Sequence, residues 1–233
     1  MFHDLSCRFP RGRVSVVLGG SGSGKSTMLR LIGGLVRPSA GRVLVDGDDV
    51  AALSERDLFR VRRKLGMMFQ HGALLDSMTV FDNLALPLRE RGTREPEIAE
   101  AIRDRLDAVG LTDVEGLLPG QLSGGMVKRV ALARAIIQRP VILLVDEPFS
   151  GLDPLSTRRI EGVLLDVNRK YGITMLVVSH DVPSTMRMAD WTVVLLPERT
   201  VEGPPRALAS GTDTEVVEFL AAGDDAVGGE PAA

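Results

Sequence analysis

Eight consecutive residues, Gly19-Gly20-Ser21-Gly22-Ser23-Gly24-Lys25-Ser26, fit the phosphate-loop pattern G-x-x-x-x-G-K-[ST]. Such a run suits a polyanion. Its glycines tolerate the unusual dihedrals that turn successive N–H groups inward on a phosphate chain. A helix opening at Lys25 adds the partial positive charge of its N-terminus. Lys25 brings a full cation to the phosphoryl group in transfer, and Ser26 offers a hydroxyl to Mg2+. Gly19 through Thr27 are therefore the expected nucleotide-binding residues. The plainer alternative, a glycine-rich turn with a solvated lysine, explains an eight-residue match poorly. Alone, the loop leaves kinases, GTPases and helicases open.

A second constellation narrows the chemistry. Val141-Ile142-Leu143-Leu144-Val145 is apolar throughout and ends in Asp146-Glu147. Such a strand is covered on both faces, and its carboxyl end is where ligands bind in parallel sheets. Asp146 is expected to hold Mg2+, and Glu147 to polarise an attacking water as general base. An acidic helix cap is the common reading of a lone aspartate, but this pair follows a phosphate loop.

These residues need a scaffold. Short β-branched runs alternate with amphipathic stretches, which reads as α/β with a mainly parallel sheet. Strands are expected at Val14–Leu18, Arg42–Val45, Leu65–Phe69, Val141–Val145, Thr174–Val178 and Thr192–Leu196. Helices are expected at Lys25–Leu35, Arg56–Lys64, Glu97–Val109, Gly125–Gln138, Leu155–Tyr171 and Val182–Ala189. The stretch from Leu74 to Gln138 holds no convincing strand and reads as an inserted helical subdomain. The expected organisation is a nucleotide-binding core over 1–73 and 139–201, the helical subdomain over 74–138, and a C-terminal tail over 202–233. In that tail Thr214–Ala222 reads as one short helix and Gly223–Ala233 as disordered.

Composition bounds the rest. The 233 residues carry a formal net charge of -3, which supplies no positive field for nucleic acid. Cys7 is the only cysteine, so no intrachain disulfide forms, and it reads as a small buried hydrophobe. The start lacks the charged and apolar regions of a secretory signal. No apolar run approaches the ~20 residues of a spanning helix, so the chain is expected to be soluble and cytoplasmic.

Within the helical insert, Leu122-Ser123-Gly124-Gly125-Met126 precedes a helix. This strongly resembles the signature of the ABC transporter ATPases, whose fold is a P-loop NTPase core with an inserted helical subdomain. The resemblance implies a homodimer that sandwiches ATP head to tail. Ser123, Gly124 and Gly125 of one subunit would then meet the γ-phosphate held by the other's phosphate loop. Gln70 matches the Q-loop glutamine, which senses Mg2+ and the lytic water and links to the permease. Ser150-Gly151-Leu152-Asp153 matches the D-loop at the dimer interface. His180 matches the switch histidine that contacts the γ-phosphate. Ser179-His180-Asp181 also invites a hydrolase triad, but three adjacent residues cannot converge on one another.

Phe69-Gln70-His71-Gly72-Ala73-Leu74-Leu75 and Thr79-Val80-Phe81-Asp82-Asn83-Leu84, with Met126 in the signature, are similar to the Mla and Mce lipid-transport ATPases. That likeness implies an integral-membrane permease partner carrying phospholipid, with the chain peripheral on the cytoplasmic face of the inner membrane. Leu74, Leu75, Val80 and Phe81 would suit a groove receiving a permease coupling helix, unless they are ordinary core. Arg56, Arg60, Arg62, Arg63 and Lys64 form a solvated basic helix face. Phe219 and Leu220 would anchor a tail segment that contacts the dimer partner in Mla-type ATPases, unless that segment is a marginal helix packed on its own domain. The family also carries an adenine-stacking aromatic on an N-terminal strand. Phe2 and Phe9 match it poorly in position, so that strand is expected to be absent and ATP binding weakened. Importers of other solutes share this motor, so a solute importer is the first alternative. A non-transport ABC ATPase is the second, although the long coiled coils or paired domains of such proteins are absent.

Overall fold

Val14-Ser15-Val16-Val17-Leu18-Gly19 forms strand β1 (Val14–Gly19), all six residues of it buried. Its side chains alternate as a pleat requires, Val14, Val16 and Leu18 entering one core and Val17 the other. The computed structural model describes residues 5–225. Phe2 and the greater part of the expected disordered tail, 226–233, lie outside the described residues.

The chain continues through α1 (Lys25–Ile32), a hairpin of β2 (Leu44–Val45) and β3 (Asp48–Asp49), α2 (Glu55–Arg62) and β4 (Leu65–Met68). Three helices follow, α3 (Val80–Arg89), α4 (Glu95–Ala108) and α5 (Gly124–Ile136). The core then resumes with β5 (Ile142–Asp146), α6 (Pro154–Tyr171), β6 (Thr174–Ser179), α7 (Val182–Met188) and β7 (Trp191–Leu195). Strand β8 (Thr200–Gly203), α8 (Pro205–Ala209) and α9 (Thr214–Asp225) complete it.

The main sheet has the order β4-β5-β6-β1-β7-β8, parallel except for the antiparallel β7–β8 pair. Its register decides where the chemistry gathers. Leu18 lies opposite Ser179, Asp146 opposite Val178, and Met68 opposite Val145. The carboxyl ends of β1, β4, β5 and β6 therefore meet on one edge, carrying Gly19, Gln70, Asp146 and His180 with them.

Several elements depart from expectation, each for a local reason. Helix α1 stops at Ile32 because Gly33 and Gly34 follow, and Gly34 takes a φ of 63°. The strand expected at Arg42–Val45 shrinks to a two-residue arm, since Asp46 (φ 51°) and Gly47 (φ 89°) reverse the chain into β3. Helix α3 was not assigned from the sequence. Thr79 caps it, its hydroxyl accepting from the N–H of Asp82 at 3.1 Å. Strand β8 was likewise missed and straddles the expected boundary at 201; four residues with one β-branched pair carry little signal. Helix α9 runs three residues past its expected end.

In the tail, Val216 and Leu220 are buried in the chain's own core, and Phe219, half-buried, packs against it. Among the described residues no helix is long and apolar enough to cross a membrane.

Candidate functional site

A cleft of roughly 630 Å3 opens on the carboxyl edge of the sheet. It gathers Ser21, Gly22 and Gly24 through Thr27 from the loop between β1 and α1, Gln70 from the end of β4, and Glu147 and His180 from the ends of β5 and β6. Gly22 and Gly24 have φ of 78° and 97°, a backbone that glycine adopts freely. Gly19 is held tightly, because a Cβ there would lie 2.6 Å from the Ser23 hydroxyl.

Lys25 is buried, and its ammonium folds back onto the loop, donating to the carbonyls of Gly19 at 2.8 Å and Gly20 at 3.0 Å. Ser26 donates its hydroxyl to Asp146 Oδ1 at 3.1 Å, joining the start of α1 to the end of β5. Glu147 adopts a φ of 44°, a strained conformation for a non-glycine residue, and its N–H donates to the Val178 carbonyl at 3.0 Å. Its carboxylate lies 2.9 Å from His180 Nδ1 on one oxygen and 3.9 Å from Lys25 Nζ on the other. Gln70 donates its amide to the Ser150 hydroxyl at 3.3 Å.

The oxygens of Ser26 and Asp146, with the Gln70 amide in the same cleft, form a hard donor set that fits Mg2+. Among the described residues no cluster of three acidic, histidine or cysteine side chains could hold a metal unaided.

The cleft does not contain every candidate. Ser123 is exposed and caps α5, its hydroxyl accepting from the N–H of Met126 at 3.3 Å. Gly124 and Gly125 form the first turn behind it. Asp153 is exposed at the start of α6, where its carboxylate accepts from the N–H groups of Leu155 and Ser156, both at 2.9 Å. The Ser156 contacts hold the Asp153 carboxyl below its ordinary range. Within one chain, these four residues line no part of the cleft.

A second, smaller groove of about 300 Å3 lies between the sheet edge and the helical insert. Leu75, Leu86, Pro87 and Arg134 line it, and buried Asn83 fastens its rim by accepting from the Leu75 N–H and donating to the Leu75, Met78 and Thr79 carbonyls. Of the four apolar residues expected in such a groove, Leu75 alone lines it. Val80 is core, and Leu74 and Phe81 pack against core.

Sequence reasoning missed Lys128. It is buried on α5, and its ammonium donates to the carbonyl of Gln70 and, at 3.4 Å, to that of Glu147. Its signal was a lysine sharing a helix face with Ala131, Leu132 and Ala135.

Compared with known proteins, the family model described as ABC transporter matches residues 2–150. The chain is 40% identical over 223 residues to the intermembrane phospholipid transport system ATP-binding protein MlaF of Haemophilus influenzae, covering 94% of this chain and 84% of that protein. It is 44% identical over 199 residues to the methionine import ATP-binding protein MetN of Photorhabdus laumondii, covering 85% of this chain and 58% of that protein. A dimeric post-hydrolysis state of the ATP-binding cassette MJ0796, bound to ADP and Pi, superposes with a TM-score of 0.77 at 32% identity, covering 86% of this chain and 88% of the other.

Proposed function

The chain belongs to the ABC transporter family of ATP-hydrolysing subunits, and from that premise we propose that it drives phospholipid transport through a permease of Mla or Mce type. The observation that carries this reading is the extent of the likeness to MlaF, which takes in 94% of this chain and 84% of that protein. The likeness to MetN takes in 58% of that protein and supports a second reading, an importer of another solute.

The residues divide the work of ATP hydrolysis between them. Gly19, Gly20, Ser21, Gly22, Ser23, Gly24 and Thr27 cradle the phosphates, and Lys25 exchanges its two backbone carbonyls for phosphate oxygens. Ser26 and Asp146, with Gln70, hold Mg2+, which when bound offsets the negative charge of the phosphates. Glu147 takes the proton of the attacking water as general base. His180, 2.9 Å from the Glu147 carboxylate, orients that base and faces the γ-phosphate. A histidine 69% exposed in its side chain has room to make that contact.

The exposed Ser123 and Gly124, with half-buried Gly125, complete the site of a second copy across a homodimer, and the Asp153 loop crosses the same interface. A helix N-terminus and its cap then face the anion held by the partner. The groove at Leu75, Leu86 and Arg134 receives the permease, which also holds the chain at the cytoplasmic face of the inner membrane. A net charge of -3 supports a protein rather than a nucleic-acid partner.

The deciding experiment is mild-detergent purification of the tagged chain from native membranes, with mass spectrometry of partners and bound lipid. An Mla- or Mce-type permease carrying phospholipid is the expected result. A solute-importer permease would overturn the lipid reading while leaving the motor intact.

A further inference from the structure

A buried ammonium is costly unless its hydrogens are satisfied. Lys128 is 7% exposed, and among the described residues no carboxylate pairs with it directly. Its acceptors are two backbone carbonyls, those of Gln70 and Glu147. They belong to the two loops that carry those side chains into the nucleotide cleft. Burial pushes the Lys128 pKa down, while the nearby charges of Glu147 and Asp146 push it back up.

The two loops need holding. Glu147 sits at a φ of 44°, a backbone conformation that persists only when its surroundings over-determine it. The Val178 carbonyl fixes its N–H, and Lys128 takes its carbonyl. On the other side, Gly72 and Ala73 after Gln70 both adopt positive φ, of 75° and 50°. Arg134, also on α5, donates to their carbonyls at 3.1 and 2.7 Å. The helix that Ser123 caps therefore grips the Gln70 loop at two points and the Glu147 turn at one.

We propose that Lys128 is a positioning residue for ATP hydrolysis, holding the backbones of Gln70 and Glu147 at one spacing from the helix that carries Ser123. The proposal rests on reading Glu147 as the general base. Lys128 does not line the cleft itself. It sets where the base and the glutamine stand, so its loss slows the chemical step and leaves nucleotide capture by the Lys25 loop intact.

The test compares the full chain with Lys128→Met, which keeps the stem without the charge, and Lys128→Arg, which keeps the charge. Misplacing a catalytic group by an ångström costs up to about 100-fold, so Lys128→Met should lower kcat by roughly 10- to 100-fold with KM for ATP within about threefold. Lys128→Arg should recover most of that loss. Wild-type kcat in Lys128→Met would overturn the proposal, as would an equal loss in Lys128→Arg. Should Lys128→Met fail to fold, Lys128→Gln is read in the same way. Glu147→Gln is run alongside: if it turns over normally, the reading of the base fails, whereas an inert Glu147→Gln beside an active Lys128→Met removes only the role of Lys128.

Discussion

Lys25 Nζ lies 3.9 Å from Glu147 Oε1 while donating to the Gly19 and Gly20 carbonyls, and the other Glu147 oxygen lies 2.9 Å from His180. The cation expected to meet phosphate and the carboxylate expected to meet water thus face one another across the cleft. Phosphate would compete for that ammonium. Lys25→Ala should weaken ATP binding by at least about 10-fold, since it removes a charge-assisted contact to the phosphates. Calorimetric titration with ATP measures this, and wild-type affinity would count against the assignment.

Glu147→Gln keeps the shape of the side chain and removes the base. General-base catalysis contributes about 10²- to 10⁴-fold, so turnover should fall by that order while ATP affinity stays within about threefold. Steady-state phosphate release and nucleotide titration together separate the two effects.

Gly66 in β4 lies directly beneath α5. A Cβ there would stand 2.3 Å from the Ala135 carbonyl oxygen and 2.9 Å from Pro140 Cγ. Gly66→Ala must push the helix off the sheet, and overpacking of this kind costs about 3 kcal/mol, or roughly 6–12 °C in Tm for a chain of this size. Thermal unfolding should show it, and an unchanged Tm would mean that α5 shifts freely.

Arg105 joins three helices from a buried position. It donates to the Ile136 carbonyl at 3.1 Å and the Tyr171 hydroxyl at 3.0 Å, and its guanidinium stacks 4.6 Å from the Tyr171 ring centroid. Arg105→Ala strands these acceptors and should cost about 3 kcal/mol, whereas Tyr171→Phe removes one hydroxyl and should cost about 1 kcal/mol. Denaturant unfolding of the pair gives the comparison; equal effects would place the stabilisation in the Tyr171 hydroxyl contact alone.

Burial, reinforced by the Glu202 carboxylate, raises the Cys7 thiol from 9.0 to about 11. The thiolate is the reactive form, and the folded protein reaches it only as pH rises through that higher value. At pH 8 alkylation should therefore be about 100-fold slower in the folded chain than in the unfolded chain. Iodoacetamide labelling with and without denaturant reads the ratio.

The phosphate loop and the Asp146-Glu147 strand end were legible because each is contiguous, so local spacing carries its chemistry. The meeting of Glu147 with His180 was not, because it depends on Asp146 pairing with Val178 across a register that no local pattern encodes. Asp46-Gly47 is a hairpin signal that an apolar Val43-Leu44-Val45 run overshadowed. Lys128 was hidden by the habit of reading lysine as surface. Its burial follows from two carbonyls that only the folded chain presents. Likewise Val80 and Leu75 look alike in sequence, and packing alone makes one core and leaves the other on the groove.

Helix α5 behaves as a rigid rod. Thirteen residues at 1.5 Å per residue give it a length of about 20 Å. Its near end carries Ser123 and its far end, at Arg134 and Ala135, forms a wall of the groove. With Gly66 as the bearing under its far half, a tilt of 10° there swings Ser123 by roughly 3 Å, about the span of one hydrogen bond. The length of the helix would thus turn a small tilt at the groove into a displacement of hydrogen-bond size at Ser123.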